Sequence, residues 1–138
     1  MKRKGNPMRA AILTFLTLAG PVLAETPMTA LQFDSYSNGK TLFYSSQGTA
    51  YGAEQYLPGR RVIWSFLDGE CLTGEWFEHN DQICFVYDGE ANGPQCWSFF
   101  ARDNGILAQF ENDPDATTLV EVNQSPEPLY CPGPQVGV

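Results

Sequence analysis

The sequence predicts a mainly β fold: an antiparallel meander closed or half-closed into a small barrel, led by one short helix and stapled by two disulfides. Three observations point there. About eight short β-prone runs recur, with turn signals every eight to twelve residues, which is the spacing of meanders and small barrels. No strand–helix–strand alternation of the kind that builds a parallel sheet is present. Four cysteines, Cys71, Cys84, Cys96 and Cys131, suit a small exported domain whose core benefits from covalent support.

The elements are justified in order. Residues 1–24 read as a secretory signal peptide. Lys2, Arg3, Lys4 and Arg9 make a basic start, Ala10 to Ala19 an apolar run, and Val22-Leu23-Ala24 a small-residue cleavage site, too short together to span a bilayer. Residues 25–138 form a single β domain. Within Glu25–Gly39, Thr26 is the expected N-cap, Pro27 the first helical residue and Asn38-Gly39 the stop. The β runs are then Thr41–Tyr44, Ala50–Leu57, Arg61–Phe66, Cys71–Trp76, Ile83–Tyr87, Cys96–Ala101, Ile106–Phe110 and Leu119–Val122. Gly-, Asn- and Asp-containing turns separate them. The tail, about 124–138, holds four prolines in SPEPLYCPGP and cannot join a central strand.

Removing 24 residues takes four of the eight basic side chains and none of the sixteen acidic ones, leaving 4 − 16 = −12. Only Lys40, Arg60, Arg61 and Arg102 remain as cations. Such a chain repels phosphate backbones, which excludes nucleic acid as a natural partner, and favours a basic partner or plain solubility. No later stretch is apolar enough for a transmembrane helix.

The cysteine gaps of 13, 12 and 35 residues lack the C-x-x-C spacing of zinc or redox sites. A hairpin register with a constant index sum of 180 sets Cys84 opposite Cys96, Ile83 opposite Trp97 and Val86 opposite Pro94, around a five-residue turn Asp88–Asn92. Ile83, Phe85, Tyr87, Trp97 and Phe99 then share one face. A neighbouring turn near Asn80 gives a sum of about 160 and sets Cys84 opposite Trp76. Cys84–Cys96 is therefore the expected bridge, leaving Cys71–Cys131 to pin the tail.

Chemistry-bearing candidates are sparse. His79 lies among turn residues without a recognisable nucleophile or partner. Glu70, Glu75, Glu78 and Asp81 cluster in sequence as acids do in any acidic chain, although a glycosidase would need two to converge. Asn112-Asp113-Pro114-Asp115 resembles a fragment of a calcium loop, without its glycine and terminal glutamate. Trp64, Trp76 and Trp97 either fill the core, the simpler reading for a small barrel, or line a ligand cavity. Tyr51 belongs to SSQGTAYG, which resembles the serine-glycine-x-x-tyrosine loop of periplasmic lysozyme inhibitors. Here Gln47 separates Ser46 from Gly48.

Longer stretches resemble a family of small exported alphaproteobacterial proteins, a domain of unknown function. The residues carrying the likeness are Gly39-Lys40-Thr41-Leu42-Phe43-Tyr44, Gly74-Glu75-Trp76, Ile83-Cys84-Phe85 and Cys96-Trp97, across roughly residues 28–110. The resemblance implies a periplasmic β protein and brings no catalytic residues. The end around Cys131 departs from that pattern. The expectation is a non-enzymatic periplasmic or secreted protein, without cofactor or metal, that binds a protein, an envelope component or a small apolar ligand. The alternative is an inhibitor of a basic enzyme such as lysozyme. Contacts are expected through Trp64, Trp76, Trp97 or Tyr51.

Overall fold

The structure is a computed structural model that describes residues 20, 24–113, 115 and 117–133. The expected signal peptide falls almost wholly outside them. A helix, α1 (Ala30–Ser37), precedes eight strands: β1 (Thr41–Ser46), β2 (Thr49–Leu57), β3 (Arg61–Ser65), β4 (Leu72–His79), β5 (Gln82–Tyr87), β6 (Gln95–Arg102), β7 (Gly105–Phe110) and β8 (Thr118–Ser125). Each strand pairs antiparallel with the next, and β8 returns to β1, so the meander is a closed barrel. Closure removes the exposed strand edges that an open sheet would leave.

Alternation along each strand divides lumen from exterior. Leu42 opposes Glu54, Glu54 opposes Trp64, and Trp64 opposes Leu72. On the far side, Trp76 opposes Phe85, and Phe99 and Leu119 flank Ala108. All these side chains face inward, as do Ile83, Tyr87 and Trp97 from the predicted hairpin face.

The helix begins later than the sequence suggested. Its N-cap is Thr29, whose hydroxyl accepts from the Gln32 N–H while the Gln32 side chain accepts from the Thr29 N–H. This capping box satisfies two amides at once. The Met28 N–H donates to the Phe99 carbonyl at 2.7 Å, tying the chain just before the N-cap to β6, and Thr26 and Pro27 lie outside the helix. From α1, Phe33 enters one end of the barrel and is fully buried. It meets Tyr56, Trp76 and Phe85 edge-on, with centroids 5.3–6.4 Å away, and lies tilted on Phe99 at 4.3 Å. A second tie runs through buried Glu121, which accepts from the Tyr36 hydroxyl, the Ile106 N–H and the Gln124 amide.

Both predicted disulfides are present, Cys84–Cys96 and Cys71–Cys131. Ile83↔Trp97 and Cys84↔Cys96 fall in the expected register, but the ladder stops at Phe85↔Gln95. Pro94 has no N–H to donate, and its carbonyl accepts from the Asn112 side chain, so the connection spans Asp88–Pro94 rather than five residues. Between β4 and β5 the index sum is 161, setting Cys84 opposite Phe77 and Trp76 opposite Phe85. Asn80 and Asp81 both take positive φ, 50° and 60°, in a two-residue turn between paired His79 and Gln82. Such a turn suits the strand twist and shifts the register by one.

The tail crosses the barrel exterior. Thr41 donates to the Glu127 carbonyl, and the Leu129 N–H donates to the Gln55 side chain. Phe43, Ala53 and Ser65 form an outward row, yet Ala53 and Ser65 are buried, in the region where Leu129, Tyr130 and Pro132 lie over the sheet.

Candidate functional site

The end of the barrel opposite α1 is open. There the β1–β2, β3–β4, β5–β6 and β7–β8 connections surround a cavity of about 280 Å³ that continues down the lumen. That is close to the lower end of the range for small-molecule sites, about 300–1,000 Å³.

Its floor is built by alternation in β2. Gly52, Glu54 and Tyr56 fall on the lumen face, while Ala53 and Gln55 face out. Glycine is required at 52 because a Cβ there would collide with the Trp64 indole. Trp64 can therefore lie flat across the strand beside Glu54. Across the lumen, Gly74 opposes Tyr87, and a Cβ at 74 would press on the Tyr87 backbone and ring. The Tyr87 hydroxyl donates to the Glu54 carboxyl, 3.0 and 3.2 Å from its two oxygens. Beside this pair the Tyr44 and Tyr56 hydroxyls share a hydrogen bond of 3.0 Å.

Glu54 is only 1 % exposed. Burial raises its carboxyl well above the ordinary value, with the Tyr87 hydrogen bond working the other way. Burial likewise raises the Tyr44, Tyr56 and Tyr87 phenols well above theirs. All three phenols therefore remain protonated at neutral pH.

Above the floor the walls are apolar. Phe85 and Tyr87 stack with rings nearly parallel, and Leu72, Phe99 and Leu119 complete the lining. At the mouth Tyr51, Trp64 and Phe66 form a cluster with centroids 5.3–5.9 Å apart. Phe66 is 55 % and Tyr51 36 % exposed. Glu90, Asn92 and Gln95 add polar groups to the rim, and among the described residues the only charged ones lining the cavity are Glu54 and Glu90. The arrangement can hold a small apolar body against ring faces while one polar group reaches hydroxyls and a carboxyl below.

Of the contact residues proposed from sequence, Tyr51, Trp64 and Trp97 come together on this cavity. Trp76 lies elsewhere, against Phe33 and beneath the Arg60 guanidinium, 4.4 Å from its ring. His79, Glu70, Glu75, Glu78 and Asp81 are all exposed and none lines the cavity. Asn112 accepts from the Cys96 N–H at 2.8 Å and donates to the Pro94 carbonyl, locking two connections together. Among the described residues no three His, Cys, Asp or Glu side chains are grouped to hold a metal.

Sequence reasoning passed over Glu54 and its tyrosines. The signal was present in YGAEQY, residues 51–56: a lone acid two positions from Tyr56 in a strand whose lumen face is otherwise uncharged. Comparison with protein-family models, with curated proteins and with solved structures gave no match.

Proposed function

We propose that this chain is a non-enzymatic binding protein of the periplasm or extracellular space that takes a small, mainly apolar ligand into the open end of its barrel. The observation that carries this is the aromatic-walled cavity with exposed Phe66 and Tyr51 at its mouth. Large apolar side chains left open to water around a concavity favour association with an apolar body. Two disulfides support an oxidising compartment, in keeping with the signal peptide expected at the N-terminus. No helix among the described residues is long and apolar enough to cross a membrane. Inhibition of a basic enzyme such as lysozyme draws on the acidic charge. It has less support from Tyr51, which packs on Trp64 and Phe66 rather than standing free.

The test is calorimetric titration of residues 25–138 with compact aromatic probes: 1-naphthylmethanol, 1-naphthylmethylammonium and 1-naphthoate. Saturable one-to-one binding of at least one probe is expected, and Ala108→Phe, which fills the cavity, should abolish it while far-ultraviolet circular dichroism stays unchanged. Absence of saturable binding by all three would overturn the proposal.

A further inference from the structure

We infer that the ligand is an organic cation, an ammonium on an aromatic or alkyl body, whose charged group sits against the Glu54 carboxyl at the cavity floor. This deepens the binding function proposed above and rests on it.

The two buried carboxyls of the barrel make the case by contrast. Glu121 is the structural one: three donors, the Tyr36 hydroxyl, the Ile106 amide and the Gln124 side chain, share its two oxygens. Glu54 is buried more completely, yet a single hydroxyl, that of Tyr87, serves both its oxygens. A carboxylate offers about four acceptor sites, so most of the capacity of Glu54 is unused. Burying a carboxyl without a counter-ion is costly to the fold, and among the described residues no Lys, Arg or His lines the cavity to supply one. The Arg102–Glu25 pair is the ion pair found among the described residues, and it lies on the exterior.

The surroundings favour positive charge. Tyr44, Tyr56, Trp64, Phe85 and Tyr87 all border the same space, and aromatic faces carry the negative side of the ring quadrupole, which attracts ammonium groups. Glu90 at the mouth adds a second carboxyl on the way in. An anionic ligand would meet two carboxyls and no cation. A neutral ligand would leave Glu54 as it is.

The experiment uses residues 25–138 and the three naphthalene probes, which share a body and differ in charge. 1-Naphthylmethylammonium should bind about ten- to a hundredfold more tightly than 1-naphthylmethanol, as expected for a charge-assisted bond with ring contacts. E54Q should erase that preference while binding of the alcohol persists. Ammonium binding should also release protons, measured in buffers of different ionisation enthalpy, and E54Q should abolish that release. The other titratable groups facing it are Tyr44 from β1, Tyr56 from β2 and Tyr87 from β5, whose phenols burial keeps protonated, and Glu90 at the rim. Should E54Q not fold, the wild-type probe ratio and the proton count decide alone. Equal binding of alcohol and ammonium, or a preference for naphthoate, would overturn the cation assignment and leave the binding function standing. If none of the probes binds, both fall.

Discussion

The two ends of the barrel use the same kinds of residue for opposite purposes. At the α1 end Phe33 is wholly buried among Tyr56, Trp76, Phe85 and Phe99, and the helix supplies the lid. At the other end Phe66 and Tyr51 pack on Trp64 but remain in contact with water. An eight-stranded barrel has an interior just wide enough for side chains to fill or for one small ligand to enter. Here one half of the lumen takes the first solution and the other half the second. Aromatic content alone therefore does not tell core from site; what covers each ring does.

The largest effect should come from opening the closed end. Phe33→Ala removes the ring that bridges four strands and leaves a void that rigid strands cannot collapse, at a cost of about 3–5 kcal/mol. Urea denaturation should show a lower midpoint with an unchanged slope. A loss below about 1 kcal/mol would mean that the helix is not the lid described.

The disulfides come next. Cys71–Cys131 spans 60 residues and Cys84–Cys96 spans 12. In the chain-entropy picture the first is worth about 4 kcal/mol and the second about 3 kcal/mol. Replacing each pair by serine should reproduce that order by denaturant titration. The longer loop anchors the tail beside the open end, so its removal should also expose the outward row of Phe43, Ala53 and Ser65. Hydrogen exchange at the Leu129 amide, bound to Gln55, would report it. Equal losses from the two pairs would show that native contacts of the tail, rather than loop closure, set the balance.

Much of this was legible in the sequence, for identifiable reasons. Strand positions followed turn residues whose conformational needs are local, and Cys84 opposite Cys96 followed from counting along one hairpin. The misplaced helix start and the one-residue register error at β4–β5 both turned on local competition. Thr29 with Gln32 caps better than Thr26 before Pro27, and Asn80-Asp81 makes a two-residue turn whose centre lies half a residue beyond the one assumed. The cavity floor was out of reach because it joins β1, β2 and β5. Tyr87 meets Glu54 across 33 positions of chain, a distance that periodicity within one strand does not encode. The division of the tryptophans was equally hidden: Trp76 and Trp64 have the same alternation and differ only in which end α1 covers.

Glu54 lies where the packed half meets the open half, and pH should reveal it. Its folded carboxyl titrates well above the ordinary 4.5 because it is buried, whereas the unfolded chain releases that proton near 4.5. Over the intervening range the folded state holds one proton more than the unfolded state. Stability therefore falls as pH rises through that window, by about 1.4 kcal/mol per pH unit, and levels off once the folded carboxyl ionises. Melting temperature of the wild-type protein should drop relative to that of E54Q, which lacks the titration, as pH rises above the ordinary carboxyl value of 4.5. Parallel profiles for the two proteins would show that Glu54 is solvated through the open mouth, which would weaken the contrast between the two halves.

The smallest change in stability should come from the open end, and it sharpens the comparison most. Phe66 is more than half exposed, so Phe66→Ala removes little buried area and should alter stability by about 0.5 kcal/mol or less. Against a bound aromatic probe the same ring is worth about 0.5–1.5 kcal/mol, or roughly two- to tenfold in Kd. Phe33→Ala and Phe66→Ala thus form a matched pair: one residue type, one substitution, opposite ends. If Phe66→Ala destabilised the free protein as much as Phe33→Ala, the mouth would be a second packed cap and the cavity beneath it a packing defect. A fold left intact beside a measurable loss of probe affinity assigns the exposed ring to recognition, because its contacts with Tyr51 and Trp64 would then add little to the stability of the free protein.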